Sequence, residues 1–224
     1  MLIFKDVTNE CFSLISFEIV RGSTCKIITH SAYEQKILLN TILGMQKPIQ
    51  GEVLLFDKNI YSISEKELIN IFKKSSIVWE DGGSISNLNV WENITLPACY
   101  HTGKKPEELE ESIINLYKQM GGEPSYLLKN RGKFFGQLPV YERKLLGIIR
   151  AMLMEPELII YDSLLEGLNP ESLARITQLV IKFHTEKSDR VSIYVSSNEH
   201  SLRTINTDVV LKQEGKGLHY EITQ

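Results

Sequence analysis

Cysteine is scarce in this chain of 224 residues, and no long hydrophobic run occurs in it. The three cysteines, Cys11, Cys25 and Cys99, are widely spaced without a Cys-x-x-Cys pair, which argues against a disulfide framework. Apolar runs are far shorter than the ~20 residues that a membrane-spanning helix needs. The N-terminal segment lacks the apolar stretch of a signal peptide. We therefore expect a cytoplasmic protein with reduced thiols.

An excess of charge of either sign is also lacking. The 25 lysines and arginines nearly balance the 28 aspartates and glutamates, which gives a net charge of −3. This balance provides no basic surface for nucleic acid, so we expect no nucleic-acid partner. Hydrophobic residues make up 42% of the chain, enough for a real core in one large domain or two small ones.

Short apolar segments bounded by turn residues predict strands along the chain. In residues 13–20, apolar and polar side chains alternate and place Ile15, Phe17 and Ile19 on one face, as in a half-buried strand. Other strands are predicted in "TCKIITH", "SSIVWED", "LIIYD" and "VSIYVSS". Turn residues predict hairpins in "PIQGEVLLFDKNI" and "TDVVLKQEGKGLHYEI".

Four other segments have the spacing and end signals of helices: "KILLNTILGM", "PEELEESIINLYKQMGG", "PVYERKLLGIIRAMLM" and "PESLARITQLVIKFHTEK". The first of them places on one face the side chains of Ile37, Leu38, Ile42 and Met45. The last follows Asn169, a favourable N-cap residue. Because helices alternate with strands, the pattern predicts a mainly parallel sheet covered on both faces.

Four further segments, between Gly51 and Ser172, keep the order and spacing of one protein family. They are "GEVLLFDKNI", "GGSISNLNVWENITLP", "RKLLGIIRAMLMEPELIIYD" and "EGLNPES". Together they resemble the ATP-binding subunit of ABC transporters, and the resemblance covers nearly the whole chain. The second segment is most similar to the subclass that serves bacterial lipid and organic-solvent-resistance importers.

The resemblance implies a P-loop-NTPase-like ABC ATPase fold of the α/β class. In such a fold a mainly parallel sheet is flanked by helices, with an antiparallel β subdomain and a helical subdomain. We accordingly expect a single domain over residues 1–224. Residues 1–81 and 148–224 would form a RecA-like core with the β subdomain, and residues 82–147 the helical subdomain.

The family's phosphate-binding loop, G-x-x-x-x-G-K-S/T, falls at "THSAYEQK", from Thr29 to Lys36. In the family its glycines let backbone N–H groups surround the phosphates, and its lysine neutralises them. Here Thr29 and Glu34 replace the glycines and Gln35 replaces the lysine, while Lys36 follows one position late. We expect an ordinary strand–turn–helix connection, with Tyr33 or Glu34 filling or repelling the space that a phosphate would need.

The other catalytic positions that the resemblance implies are only partly kept. Asp162 matches the aspartate that orients magnesium, and Glu80 replaces a glutamine that contacts the same ion. Ser163 replaces the glutamate that polarises the attacking water, and serine without a partner is no general base. Ser197 falls at the position of the switch histidine. Phe12 is a candidate for the aromatic residue that stacks on adenine, or else a core residue.

The family's signature motif, L-S-G-G-Q, aligns with "LPVYE". Pro139 removes the serine hydroxyl, and Val140 and Tyr141 add bulk where a partner's nucleotide approaches glycine. The following Arg143 and Lys144 keep a basic pair of the family, or else form a solvated helix face.

These replacements together predict a catalytically inactive, degenerate member of the family, a pseudo-ATPase rather than an enzyme. No catalytic residue, metal site or bound ATP and magnesium is expected. The leading hypothesis is a structural or regulatory subunit of a transport complex. One alternative is an atypical ATP-binding protein that binds and hydrolyses ATP weakly through Lys36, Glu80 and Asp162. Another is a binding module that reuses the emptied cleft.

The resemblance also implies partners, because "GGSISNLNVWENITLP" in the family lies against a membrane permease. The residues predicted to contact a partner are Ser86, Leu88, Val90, Trp91 and Asn169. A permease, another ABC ATPase subunit and a second copy of the chain are the partners expected. The chain would then lie on the inner face of the membrane, held there by the permease.

Overall fold

In the computed structural model, residues 1–221 form two sheets and a set of flanking helices. The strands are β1 Leu2–Thr8, β2 Ile15–Ile19, β3 Thr24–Ile28, β4 Gln50–Leu55, β5 Lys58–Asn59, β6 Ser75–Val78, β7 Leu158–Asp162, β8 Val191–Ser196, β9 Val209–Glu214 and β10 Gly217–Tyr220. The α-helices are α1 Ala32–Ile42, α2 Glu65–Phe72, α3 Val90–Thr102, α4 Pro106–Gln119, α5 Pro124–Asn130, α6 Val140–Met152 and α7 Pro170–Thr185. Two short 3-10 helices occur at Phe135–Gln137 and Glu199–Leu202.

The larger sheet has the strand order β10-β9-β3-β8-β7-β6, and every pair in it is parallel except β9 with β10. Along β7, Leu158 and Ile160 join one hydrophobic cluster, and Ile159 and Tyr161 join the other. Both faces of this sheet are therefore covered. The smaller sheet, β2-β1-β4-β5, is antiparallel. The predicted mainly parallel sheet with a separate antiparallel part is confirmed.

Most of the predicted strands and helices are present in the structure, and these are the segments with a regular side-chain periodicity. Ile15, Phe17 and Ile19 are buried on one face of β2. Helix α1, in contrast, ends at Ile42, so the prediction that Met45 lies on its buried face is wrong, and Met45 is 68% exposed. The chain leaves the helix at the following turn, where Gly44 has a positive φ of 70°.

Helices α3 to α6 lie between β6 and β7 in the chain and pack on one another through buried side chains. The predicted boundary between residues 147 and 148 falls inside α6, which continues without a break to Met152. Over residues 1–221, none of the helices combines the length and the apolar character that crossing a membrane would require.

The parallel strands point their carboxyl ends towards one edge of the sheet, which is where ligands bind in such folds. At this edge, β3 is followed by the turn into α1, and β6 by a loop that contains Trp79 and Glu80. Strand β7 ends at Asp162 and β8 at Ser196. The fold thus brings residues from four distant parts of the sequence to one place.

Candidate functional site

A cleft of about 400 Å³ opens at this edge, beside the first turns of α1. The polar side chains in its lining include those of Gln35, Lys36, Glu80, Asp162, Ser163, Glu166 and Ser197. The structure therefore brings together Lys36, Glu80 and Asp162, the three residues of the atypical ATP-binding alternative. The expectation that "THSAYEQK" leaves no phosphate-sized concavity is wrong.

The cleft is open because the two bulky side chains of the turn make their contacts elsewhere. The hydroxyl of Tyr33 donates to the carboxylate of Glu10 at 2.8 Å, and its side chain is largely exposed. The Glu34 carboxylate accepts hydrogen bonds from Ser31 Oγ at 2.8 Å and from Gln213 Nε2 at 2.9 Å. These contacts hold the Glu34 carboxylate away from the lining of the cleft.

Gln35 is buried at the position of the family's lysine. Its Nε2 donates to Asp162 Oδ1, and to Ser163 Oγ at 2.9 Å. Its Oε1 is buried and accepts no hydrogen bond from any of residues 1–221. A neutral amide therefore links α1 to the end of β7, and its oxygen has no hydrogen-bond donor within the described part of the chain.

Asp162 is held in place through both of its carboxylate oxygens, one bonded by Gln35 and the other by the backbone N–H of Glu80 at 3.4 Å. Burial raises the pKa of this carboxyl group, and the hydrogen bonds from Gln35 and Glu80 partly oppose that rise. The charge of Glu80 raises the pKa further, whereas the Lys144 ammonium lowers it. The ionised form of Asp162 is therefore disfavoured in this site. A cation bound beside the carboxylate would stabilise that form.

The raised pKa of Asp162 predicts how one substitution changes stability with pH. A carboxyl group whose pKa is higher in the folded state stabilises the fold at low pH and loses that contribution as pH rises. An asparagine side chain cannot ionise, so Asp162→Asn should raise the melting temperature at neutral pH. The gain should vanish as pH falls to about 4. Thermal unfolding followed by circular dichroism measures this. An equal gain at both pH values would contradict the raised pKa of Asp162.

The loop that carries Glu80 is fixed against α6 by a close backbone approach at Gly82. The carbonyl oxygen of Gly82 accepts a hydrogen bond from Arg150 Nη2 at 2.8 Å. Gly82 has a φ of 84°, and a Cβ atom there would lie 2.1 Å from the carbonyl oxygen of Arg143. Only glycine permits this contact, which sets the position of Glu80 at the rim of the cleft.

Lys144 lies under the cleft rather than in solvent. Its side chain is buried, and Nζ donates to the carbonyl oxygens of Ser163 at 3.1 Å and of Glu166 at 2.9 Å. Burial lowers the pKa of this ammonium, and the charges of Glu80, Glu166 and Asp162 raise it. The interpretation of Lys144 as part of a solvated helix face is wrong, because α6 turns this residue towards the end of β7.

The segment that aligns with the signature motif begins α6 and opens onto a neighbouring cleft of about 420 Å³. Val140 is largely exposed there, and the hydroxyl of Tyr141 shares a hydrogen bond of 2.9 Å with Ser172 Oγ. This second cleft shares Glu80 and Glu166 with the first. The side chains of Glu80 and Glu166 thus contribute to both clefts.

The residues predicted to contact a partner differ in their exposure. Ser86 and Asn169 are exposed, and Leu88 and Trp91 are half-buried. Val90 is fully buried in the core at the start of α3, so it is not available to a partner and its placement in an interface is wrong. Asn169 also caps α7, because its side chain accepts a hydrogen bond from the Ser172 N–H at 2.9 Å.

Two polar residues of the site, Glu166 and Gln213, were missed by sequence reasoning, whereas Lys144 was named without its buried position. A carboxylate four residues after Asp162 is a visible signal for Glu166, but Gln213 meets Glu34 only through the fold. Phe12, in turn, is fully buried and is a core residue. In residues 1–221, no three His, Cys, Asp or Glu side chains are grouped closely enough to hold a metal ion.

A cleft between a strand–helix turn and the carboxyl ends of parallel strands is the nucleotide site of P-loop-type α/β proteins. The family described as ABC transporter matches residues 12–165. The chain belongs to the ABC transporter family.

Curated relatives and solved structures agree with this assignment. The chain is 25% identical over 191 residues to the probable ribonucleotide transport ATP-binding protein mkl of Mycobacterium leprae, covering 85% of this chain and 53% of that protein. It is 25% identical over 192 residues to the methionine import ATP-binding protein MetN 1 of Listeria monocytogenes, covering 86% and 54% respectively. The chain thus spans about half the length of the curated relatives it matches.

Among solved structures, a dimeric ATP-binding cassette in a post-hydrolysis state bound to ADP and Pi has a TM-score of 0.83 at 21% identity, covering 99% of this chain and 98% of the other. The cbiO1 protein of Clostridium perfringens, described as part of the ABC transporter complex cbiONQ, has a TM-score of 0.74 at 20% identity, covering 97% and 86%. These similarities confirm the ABC ATPase fold.

The comparisons overturn the expectation that the chain is not an enzyme. The family and the relatives are ATP-binding proteins of ABC transporters, which are ATPases, and no comparison sets this chain apart as inactive. When the motif positions are considered one at a time, each replacement removes a functional group that the family has there. The open cleft, the Glu34 carboxylate held aside and the carboxylate of Glu166 show that the fold surrounds those positions with other polar groups.

Proposed function

We propose that the chain is the ATP-binding subunit of an ABC-type import complex and that Mg-ATP binds in the cleft beside α1. The observation that carries the proposal is the cleft itself, because it brings Lys36 and Asp162 together at the N-terminal end of a helix. This replaces the expectation of a cleft without nucleotide. It adopts the alternative that uses Lys36, Glu80 and Asp162.

The start of α1 provides the groups that suit phosphate. Backbone N–H groups at a helix N-terminus point outward and carry a partial positive charge. The Lys36 ammonium lines the cleft on an exposed side chain and supplies a full charge. Because Gln213 and Ser31 hold the carboxylate of Glu34, that negative charge is kept out of the lining.

The carboxylates at the end of β7 and in the loop after β6 suit a hydrated magnesium ion. Mg²⁺ keeps several waters and uses one or two carboxylates together with substrate phosphates, so it does not need a cluster of three protein ligands. Asp162 and Glu80 offer two carboxylates. When bound, the ion would neutralise phosphate charge.

The names of the relatives support the transport role. They are described as a transport protein for ribonucleotide and an import protein for methionine. We propose a cytoplasmic site of action at a permease, which the loop before α3 contacts through Ser86 and Leu88. A second ATP-binding subunit, identical or not, would approach near Asn169. The lipid and organic-solvent-resistance subclass stays a prediction.

Removal of the Lys36 charge tests the nucleotide site. Lys36→Ala should weaken Mg-ATP binding about tenfold, because the phosphates lose a charge-assisted contact. Isothermal titration calorimetry with Mg-ATP measures the affinity, and phosphate release measures turnover. Lys118→Ala removes an exposed lysine of α4 and should leave both unchanged. Absence of any Mg-ATP binding by the unmodified protein would refute the proposal.

A further inference from the structure

The turn after β7 carries a carboxylate, Glu166, which the sequence alignment with the family does not single out. Ser163 occupies the position where the family has its catalytic glutamate. We propose that Glu166 is the general base of this chain and accepts the proton of the attacking water. This inference rests on the proposed ATP site, and it names the residue through which that site performs hydrolysis.

Glu166 contributes to the lining of both clefts. Its side chain is half-buried and lines both the cleft beside α1 and the neighbouring one beside α6. Its Oε1 accepts a hydrogen bond of 2.6 Å from Ser196 Oγ at the buried end of β8. Its Oε2 accepts no hydrogen bond from the rest of residues 1–221 in that arrangement. One carboxylate oxygen is thus oriented by the protein, and the other remains for a water molecule.

The backbone of this turn is fixed at both ends. Ser163 has a φ of 46°, and its N–H donates to Val195 O at 2.9 Å, which ties the start of the turn to β8. The N–H of Glu166 donates to Ser163 O at 3.2 Å. Lys144 then bonds the carbonyl oxygens of both residues. A charged donor in a buried position makes these contacts strong, so the carboxylate of Glu166 is presented in a defined place.

The two residues between Ser163 and Glu166 anchor the turn in the hydrophobic core. Leu164 and Leu165 are 1% and 3% exposed and belong to the hydrophobic cluster on one face of the larger sheet. Because both are buried, the next side chain is directed out of the core and towards the cleft. A carboxylate on such a rigid support needs little reorganisation to receive a proton.

The other polar groups of the cleft are less suited to this role. Both oxygens of Asp162 already accept hydrogen bonds, from Gln35 and from the Glu80 backbone. The Ser163 hydroxyl accepts from Gln35, and an unassisted hydroxyl is too weak a base at neutral pH. Glu80 is exposed to solvent at the rim. Glu166 combines a half-buried place in the lining of the cleft, a donor that orients it and an oxygen that accepts no hydrogen bond within residues 1–221.

In the proposed step, the Glu166 carboxylate takes a proton from water as the water oxygen forms a bond to the terminal phosphorus of ATP. The bond between that phosphorus and its bridging oxygen breaks, and its electron pair leaves with ADP. Inorganic phosphate and ADP are the products, and the protonated Glu166 returns its proton to solvent. No oxidant, reductant or further reactant is needed.

Glu166→Gln tests the assignment, because the amide keeps the size of the side chain and can still accept from Ser196. The turnover rate should fall about a hundredfold, with Mg-ATP affinity by calorimetry changed by less than about twofold. After a fixed incubation, nucleotide extracted from the variant should be ATP, whereas nucleotide extracted from the unmodified protein should be ADP. Glu111→Gln, the same change on an exposed face of α4, should match the unmodified protein.

A second variant tests the residue that orients the Glu166 carboxylate. Ser196→Ala should lower kcat by a smaller factor than Glu166→Gln and leave KM for Mg-ATP within about twofold, because the carboxylate loses the donor that orients it. If Glu166→Gln hydrolyses Mg-ATP at the unmodified rate, the assignment of Glu166 fails and the ATP site stands. If the unmodified protein binds no Mg-ATP, both fail.

Discussion

Gln35→Lys should raise the rate of Mg-ATP hydrolysis by about 10²–10³-fold, the size of effect that one well-placed charge has in a catalytic site. The amide nitrogen of Gln35 already lies within hydrogen-bond distance of Asp162 and of Ser163 Oγ. An ammonium in its place would add a positive charge facing the phosphates. It would also lower the pKa of Asp162, which burial raises above its ordinary value.

Phosphate release and calorimetry together measure this gain, since the same charge should also tighten nucleotide binding. Gln119→Lys adds an equal charge at the exposed end of α4 and serves as the matched control. Equal rates for the two variants would mean that position 35 does not face the phosphates. A higher affinity without a higher rate would instead place the added charge on the bound substrate and not on the transition state.

Gly82→Ala should destabilise the protein by about 2–5 kcal/mol, the combined cost of a left-handed backbone for alanine and of an overpacked contact. The added Cβ would meet the carbonyl oxygen of Arg143 at 2.1 Å and its carbon at 2.5 Å. Both are backbone atoms of α6, so a rotamer change cannot remove the clash. The loop must move away from α6, and Glu80 moves with it.

Urea unfolding measures the free energy of unfolding for this variant. Gly132→Ala is the control, because no atom of residues 1–221 lies within 4 Å of the place that a Cβ would take there and its φ is not in the left-handed region. That change should stay within about 0.5 kcal/mol of the unmodified protein. A similarly small effect at Gly82 would contradict the close packing of this loop on α6.

The elements that could be predicted from sequence are those in which periodicity and end signals agree. In α6, Leu145, Ile148 and Ile149 are buried on the face that their spacing indicates. The prediction did not identify α3, because Pro97 lies inside the helix and breaks the usual rule. Strand β1 was missed as well, since a register shift near Asp6 interrupts its alternation.

The site was less predictable than the fold, for a physical reason. Motif positions identify which residue occurs at each place, but not where its side chain points. Glu34 looked unfavourable for an anion, and only the fold shows Gln213, 179 positions away, holding its carboxylate. Lys144 and Glu166 likewise depend on a contact between α6 and the turn after β7. Long-range hydrogen bonds of this kind leave no local pattern in the sequence.

Lys144 also joins α6 directly to the turn after β7. The exposed first residues of α6, Val140 and Tyr141, lie one helical turn from the ammonium that grips the carbonyl oxygens of Ser163 and Glu166. A translation or rotation of the start of α6 would therefore displace the turn after β7. Movement at the protein surface and the shape of the cleft are thereby linked through one buried side chain.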